Sequence, residues 1–215
     1  MVRHAPRGGQ RDARGGVAVT FRLGLTGSIG TGKSTTARMF AEAGCAVWDA
    51  DAAVHRLYSC GGAAVAPIAE AFPAAIRDGM VCRAALKEII RDDPDALSRI
   101  EAIVHPLVAQ DRVEFLRGQT ARVTVLDIPL LFETGIDREL DATVTVTTSP
   151  AQQRARVMER GTMTEEQFEA IRAKQMPDAE KRARADYVIE TDTLEHARQQ
   201  VQAVLEDIER TGDHA

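Results

Sequence analysis

Short apolar runs separated by amphipathic stretches organise this chain. Phe21 to Thr26 is apolar enough to read as a buried strand, and glycine-rich sequence follows it. Lys33 to Glu42 carries helix formers, with Met39 and Phe40 apolar, and Gly44 stops it. Cys45 to Trp48 is a second strand, ending at Asp49-Ala50-Asp51. From Ala52 to Gly118 nothing reads as strand. Helical patches over Ala52–Tyr58, Ala63–Phe72, Arg83–Ile90 and Pro94–Leu116 are punctuated by Gly61-Gly62, Asp78-Gly79 and Asp92-Asp93-Pro94. Val123 to Ile128 and Ala142 to Thr147 are further strands, the first with the continuous apolar character of a sheet covered on both faces. Pro150 opens a helix, where its missing N–H costs little. Helical sequence then reaches about Arg184, Tyr187–Ile189 is a last strand, and Leu194 to Arg210 a last helix.

Strands alternating with helices imply an α/β fold: a parallel sheet with helices on both faces. The stretch between the second and third strands is too long for a simple crossover. It reads as an inserted helical subdomain, about 52–118, within a single domain spanning 21–215. His105-Pro106 falls inside the last of its helical patches, where the proline should kink or restart the helix.

Composition narrows the class. The chain has 215 residues, 44% apolar and 27% charged, ordinary values for a globular protein. With 27 basic and 32 acidic residues the net charge is −5, which argues against a nucleic-acid binder. No run of apolar residues is long enough to span a membrane. Cys45, Cys60 and Cys82 form no metal spacing and read as free thiols of a reducing cytoplasm, without a catalytic role. Residues 1–20 mix Arg3, Arg7, Arg11 and Arg14 with glycines and lack an apolar segment. They are expected to be a flexible tail rather than a secretory signal.

The strongest chemical signal is Gly27-Ser28-Ile29-Gly30-Thr31-Gly32-Lys33-Ser34. It matches G-x-x-x-x-G-K-[ST] and lies between a predicted strand and a predicted helix. Glycines allow backbone N–H groups to curl around phosphate oxygens, and a helix N-terminus adds positive potential. Lys33 is placed to reach the β and γ phosphates of a nucleoside triphosphate, the Ser34 hydroxyl to ligate Mg²⁺, and Thr35 to touch the α-phosphate. The guanine-reading N-K-x-D segment of GTPases is absent.

Carboxylates at strand ends supply the rest, because ligands of open α/β sheets gather there. Asp51 suits the base or orienter of an acceptor hydroxyl. Asp49 is either a metal-side partner or the cap of the next helix. Asp127 ends an apolar strand and suits Mg²⁺. Phe132, just beyond it, reads as core. Gln153, Arg156 and Arg160 share a predicted helix, with Lys181 and Arg182 further on. Such a segment, about 150–184, reads as a lid delivering arginines to the transferring phosphate, Arg156 foremost. Between Arg154 and Arg184 eight basic residues are balanced by six acidic ones, so this is no nucleic-acid patch.

Together these segments resemble the dephospho-CoA kinase family of P-loop kinases. The resemblance runs from Arg22 to about Arg210 and rests on Leu25–Thr35, W-D-A-D (Trp48–Asp51), H-P-L-V (His105–Val108), D-I-P-L-L-F-E (Asp127–Glu133) and K-R-A-R-A-D-Y-V-I (Lys181–Ile189). It implies a three-layer fold on a five-stranded parallel sheet, with a CoA-binding insertion and a lid. It also implies transfer of the ATP γ-phosphate to the ribose 3′-hydroxyl of dephospho-CoA. Asp51 would be the catalytic carboxylate, and His55, His105, Pro106, Pro129, Leu130, Leu131 and Glu133 would line the acceptor side. The implied partners are ATP, Mg²⁺ and dephospho-CoA, for a monomer or small homo-oligomer.

The chain departs from the family pattern in four places. His55, followed by Arg56, stands where arginine is frequent. Cys60 replaces a proline, and Ser28 replaces a glycine. Thr191-Asp192 replaces an asparagine-containing turn near adenine, which puts base recognition on backbone groups. A nucleoside monophosphate kinase would share the cradle but lack the H-P-L and P-L-L-F-E segments.

Overall fold

The computed structural model describes residues 20–212, so the expected tail lies outside the described residues except for Thr20. In chain order the strands are β1 (Phe21–Gly27), β2 (Ala46–Asp49), the two-residue pair β3 (Ile76–Arg77) and β4 (Met80–Val81), β5 (Val123–Asp127), β6 (Ala142–Thr147) and β7 (Tyr187–Glu190). The helices are α1 (Lys33–Glu42), α2 (Ala50–Tyr58), α3 (Val65–Ala71), α4 (Arg83–Asp92), α5 (Ala96–Arg117), α6 (Pro150–Glu159), α7 (Glu165–Lys174), α8 (Asp178–Arg184) and α9 (Leu194–Gly212). The main sheet has five strands in the order β2-β5-β1-β6-β7. The pairs β1/β5, β1/β6 and β6/β7 are parallel, as the alternation of strands and helices requires.

Two compact units form, one from the chain up to Val47 together with Thr120 onward, the other from Trp48–Gln119. In the first unit Leu23, Leu25, Val125, Val144, Val146 and Ile189 pack with Phe40 of α1 and with Val201, Val204 and Leu205 of α9. Strand β6 reads A-T-V-T-V-T, yet all six residues are buried. Its valines enter this core. Its threonines bond on the other face: Thr143 Oγ1 donates to Asp186 at 2.8 Å, Thr145 Oγ1 to the Lys181 carbonyl at 3.4 Å, and Thr147 Oγ1 to Asp178 at 2.9 Å. A strand covered on both sides can thus carry hydroxyls, provided each finds an acceptor.

The second unit closes around Leu57, Ile68, Phe72, Leu86, Ile100 and Val104. Two expectations are corrected, and a third, a kink or restart at Pro106, is narrowed. The insertion does contain strand, because Asp78 (φ 50) and Gly79 (φ 73) form a tight turn that pairs Arg77 with Met80. Two consecutive positive φ values are what a two-residue hairpin demands, and Asp-Gly provides them cheaply. Helix α5 runs through Pro106 without restarting, at the cost of one N–H donor. Helix α6 ends at Glu159, so Arg160 caps it rather than sharing it with Arg156.

Candidate active site

The phosphate loop joins β1 to α1. Gly30 has φ +78, and a Cβ there would lie 2.6 Å from Val157 Cγ2 and 2.9 Å from the Gln153 carbonyl. Only glycine lets the loop lie this close to α6. Side chains remote in sequence hold the loop's carbonyls and amides. Gln153 Nε2 donates to the Ile29 carbonyl at 2.6 Å, and the Ile29 amide donates to Gln175 Oε1 at 3.1 Å. Thr191 Oγ1 donates to the Thr31 carbonyl at 2.6 Å, while Thr31 Oγ1 closes the loop onto the Ser28 carbonyl at 2.8 Å. The amides of Gly32, Lys33 and Ser34 have no carbonyl partner among the described residues, as the opening turn of a helix leaves them. Aligned amides at a helix start attract anions.

Lys33 Nζ bonds Asp127 Oδ1. The Asp127 carboxylate is 2% exposed, at the end of β5 in register with Leu25 of β1. An exposed Ser34 hydroxyl and this carboxylate are hard oxygen donors. Such a sparse set suits Mg²⁺, which keeps waters and phosphate oxygens in its shell. Among the described residues no group of three or more His, Cys, Asp or Glu side chains is placed to hold a metal.

Beside the loop lies a cleft of about 390 Å³, lined by Gly32, Thr35, Arg156, Arg160, Thr191 and Asp192 among others. The Arg156 fork is engaged on protein atoms. Nη1 donates to Thr191 Oγ1 at 2.8 Å and to the Thr31 carbonyl at 3.4 Å, and Nη2 bonds the Thr191 carbonyl. Asp192 is exposed. The Thr193 amide and then His196 hold its carboxyl below the usual carboxylate range.

The Pro129–Glu133 segment follows β5. The Pro129 carbonyl accepts from Thr26 Oγ1 at 3.0 Å. Leu130 is 43% exposed, whereas Leu131 is fully buried against Gly24, so the side chain of Leu131 serves the core. Phe132 is buried as expected, under the Arg184 guanidinium. Glu133 accepts from the Met176 amide at 2.9 Å and pairs with Lys181 at 2.9 Å. Burial opposes its ionisation, but the Met176 N–H and the Lys181 ammonium outweigh that and leave its carboxyl below the ordinary value. Lys181, which the sequence places within the lid segment, is wholly buried.

In the second unit Asp49 caps α2, accepting the Ala52 amide at 2.9 Å, which decides the alternative left open by the sequence. Asp51 is exposed in the opening turn of α2, with His55 one turn on. Trp48 Nε1 and Arg56 Nη2 both donate to Asp111 Oδ1, at 2.7 and 2.6 Å. Burial opposes the Asp111 charge, but these two donors hold its carboxyl below the usual range. His105 and Pro106 are exposed on α5. Burial alone pushes the Cys45 thiol up to about 11, consistent with an inert core cysteine. The loop-holding roles of Gln153, Gln175 and Thr191 were missed from sequence; a glutamine among the apolar positions of α6 is the only local hint of them.

The family model for dephospho-CoA kinase matches residues 21–196. A dephospho-CoA kinase of Ruegeria pomeroyi is 64% identical over 92% of this chain and all of its own length. One of Cereibacter sphaeroides is 60% identical over 90% of this chain and 98% of its own. A crystal structure of a Thermus thermophilus protein superposes with a TM-score of 0.79 at 34% identity, covering 87% of this chain and 97% of that one. The motif order, the five-stranded sheet and these matches agree: this chain belongs to the dephospho-CoA kinase family.

Proposed function

We propose that this protein transfers the γ-phosphate of ATP to the ribose 3′-hydroxyl of dephospho-CoA, giving CoA and ADP in the last step of CoA biosynthesis. The observation that carries this reading is the phosphate loop, with Lys33 against Asp127, in a chain 64% identical to a dephospho-CoA kinase.

Residues 28–35 bind the donor through backbone amides, with Lys33 on the transferring phosphate and Thr35 on the α-phosphate. Ser34 and Asp127 would hold Mg²⁺, which supplies charge neutralisation on the phosphate oxygens when bound. As the donor binds, the Lys33 ammonium would turn from Asp127 Oδ1 to the phosphate. Asp51 is exposed and takes the proton of the 3′-hydroxyl as the O–P bond forms. The engagement of Arg156 with Thr191 and Thr31 supports a place at the nucleoside cleft, shaping the donor's seat. His55, His105 and Pro106 belong to the acceptor unit, as do Pro129 and Leu130 to the acceptor edge of the first. The Glu133 carboxylate, bonded to Lys181 and Met176, supports that edge from behind.

The reading needs two small-molecule partners, ATP and dephospho-CoA, and suits a monomer or small homo-oligomer working in the cytoplasm. Among the described residues no helix is long and apolar enough to cross a membrane. A coupled ADP-release assay with dephospho-CoA, with CoA identified by mass, tests it. ADP release with a nucleoside monophosphate and none with dephospho-CoA would overturn it.

A further inference from the structure

The Gly30 amide of the phosphate loop is a buried donor without a protein acceptor. Gly30 is buried, yet its N–H donates to no atom among the described residues. Buried backbone donors are almost always paired, so an orphan calls for an acceptor from outside the chain. The amides on either side differ: that of Ile29 donates to Gln175 Oε1 at 3.1 Å, and that of Thr31 to the Ser28 carbonyl at 3.2 Å.

The carbonyl of the preceding residue sets where the Gly30 amide aims. Among the described residues no peptide is cis. In a trans peptide the C=O and the N–H point to opposite sides of the chain. Gln153 Nε2 holds the Ile29 carbonyl at 2.6 Å, so the Gly30 N–H points away from the Gln153 amide. Gly30 has φ +78, and glycine takes either sign of φ at little cost, so nothing in the loop's own backbone keeps this peptide from turning over. Reversed, it would present a carbonyl oxygen where the N–H now stands, and repel an anion there. The peptide before it is held at both ends. Thr31 bonds the Ser28 carbonyl and Gln175 takes the Ile29 amide. The direction of the orphan donor therefore depends on one buried side chain of α6, that of Gln153.

The arrangement repeats two residues on. Gly32 has φ +93, and its amide has no carbonyl partner among the described residues. The carbonyl before it, that of Thr31, accepts from Thr191 Oγ1 at 2.6 Å. At each glycine of the loop with positive φ, a side chain remote in sequence pins the peptide that glycine leaves free.

We propose that Gln153 is a positioning residue for phosphoryl transfer: by holding the Ile29 carbonyl it turns the Gly30 N–H toward the β–γ end of bound ATP. This rests on the phosphoryl transfer from ATP already proposed. With Thr35 on the α-phosphate and Lys33 on the β and γ phosphates, an amide three residues before Lys33 stands at the end of the polyphosphate away from the nucleoside. Charge develops there as the γ-phosphoryl group leaves, and a donor fixed beforehand needs no reorganisation at that moment.

Gln153→Met keeps the length of the side chain but has no N–H to give. In calorimetric titration of the full-length protein its affinity for ATP should fall about 10-fold, the lower end for a charge-assisted hydrogen bond, while that for AMP, which has no β or γ phosphate, should stay within about 2-fold of wild type. Unchanged ATP affinity overturns the proposal. An equal loss for AMP does so too, since it would reduce Gln153 to packing between α6 and the loop. Amide-resolved NMR of isotope-labelled wild-type protein adds a measurement that needs no variant. On addition of ATP the Gly30 amide proton should move downfield, as a donor gaining a charged acceptor does. A Gly30 resonance that stays in place while ATP binds overturns the proposal even if Gln153→Met fails to fold. Wild-type protein that binds no ATP at all overturns the kinase reading itself, a distinct result.

Discussion

Lys181 Nζ lies 2.9 Å from Glu133 Oε1, and the lysine side chain has no exposed surface at all. A buried ammonium persists only when paired and hydrogen-bonded. Glu133 supplies the charge and the Pro129 carbonyl, at 3.4 Å, a second acceptor. The pair links the segment after β5 to α8, and the Met176 amide ties the start of α8 to the same carboxylate.

Glu133→Gln should therefore destabilise the protein by about 2–4 kcal/mol, since it leaves a buried ammonium without its counter-charge. The penalty has a pH signature. The Glu133 carboxyl is depressed below its ordinary value of 4.5, so its stabilisation is fully present above that pH and is lost as pH falls through the lower folded value. Denaturant unfolding of wild type and variant between neutral pH and about pH 3 checks this. A stability gap that does not narrow in acid would contradict it.

Asp111 accepts from both Trp48 and Arg56, one residue on each side of the segment that bears Asp51. Asp111→Leu leaves the Trp48 N–H, on a side chain 2% exposed, without an acceptor. We expect a loss of about 1–3 kcal/mol in stability, with kcat reduced more than the KM for ATP rises. Asp111→Asn retains a carbonyl for Trp48 and should recover part of both.

Asp51→Asn should lower kcat about 100- to 10,000-fold, the span of general base catalysis, with a much smaller change in KM. Steady-state kinetics with dephospho-CoA decide it. Near-normal turnover would remove Asp51 from the proton transfer.

Lys33→Ala should cost about 3–4 kcal/mol of transition-state stabilisation, read from kcat/KM. Because Lys33 also neutralises the nearly inaccessible Asp127, this variant should lose thermal stability as well. An activity loss without any shift in melting temperature would separate the two roles.

Thr191→Val removes the hydroxyl that bonds the Thr31 carbonyl and Arg156 together. The KM for ATP should rise about 5- to 30-fold, equivalent to one or two hydrogen bonds, while the KM for dephospho-CoA changes little. Equal changes in both would place Thr191 outside the donor cleft.

Much was legible in the residues themselves because it depends on neighbours in the chain. The strand–loop–helix around Gly27–Ser34 is local: glycine spacing, a strand before and a helix after determine where amides and Lys33 stand. Helix α1 and strand β6 fall where periodicity and apolar runs put them. The hairpin at Asp78-Gly79 escaped because its strands are two residues long, too short for any alternation to show. Nothing in K-R-A-R distinguishes Lys181 from Arg182, yet one is wholly buried and the other exposed. Which face of a short basic helix turns inward is decided by what packs on it, here Glu133, distant in sequence. The same holds for Gln153, Gln175 and Thr191 on the loop. The available chemistry and the turn that cradles phosphate are set over a few consecutive residues, so both are legible along the chain. Which charged groups are sealed and which are paired follows from contacts between segments far apart, and these exist only once the chain has folded.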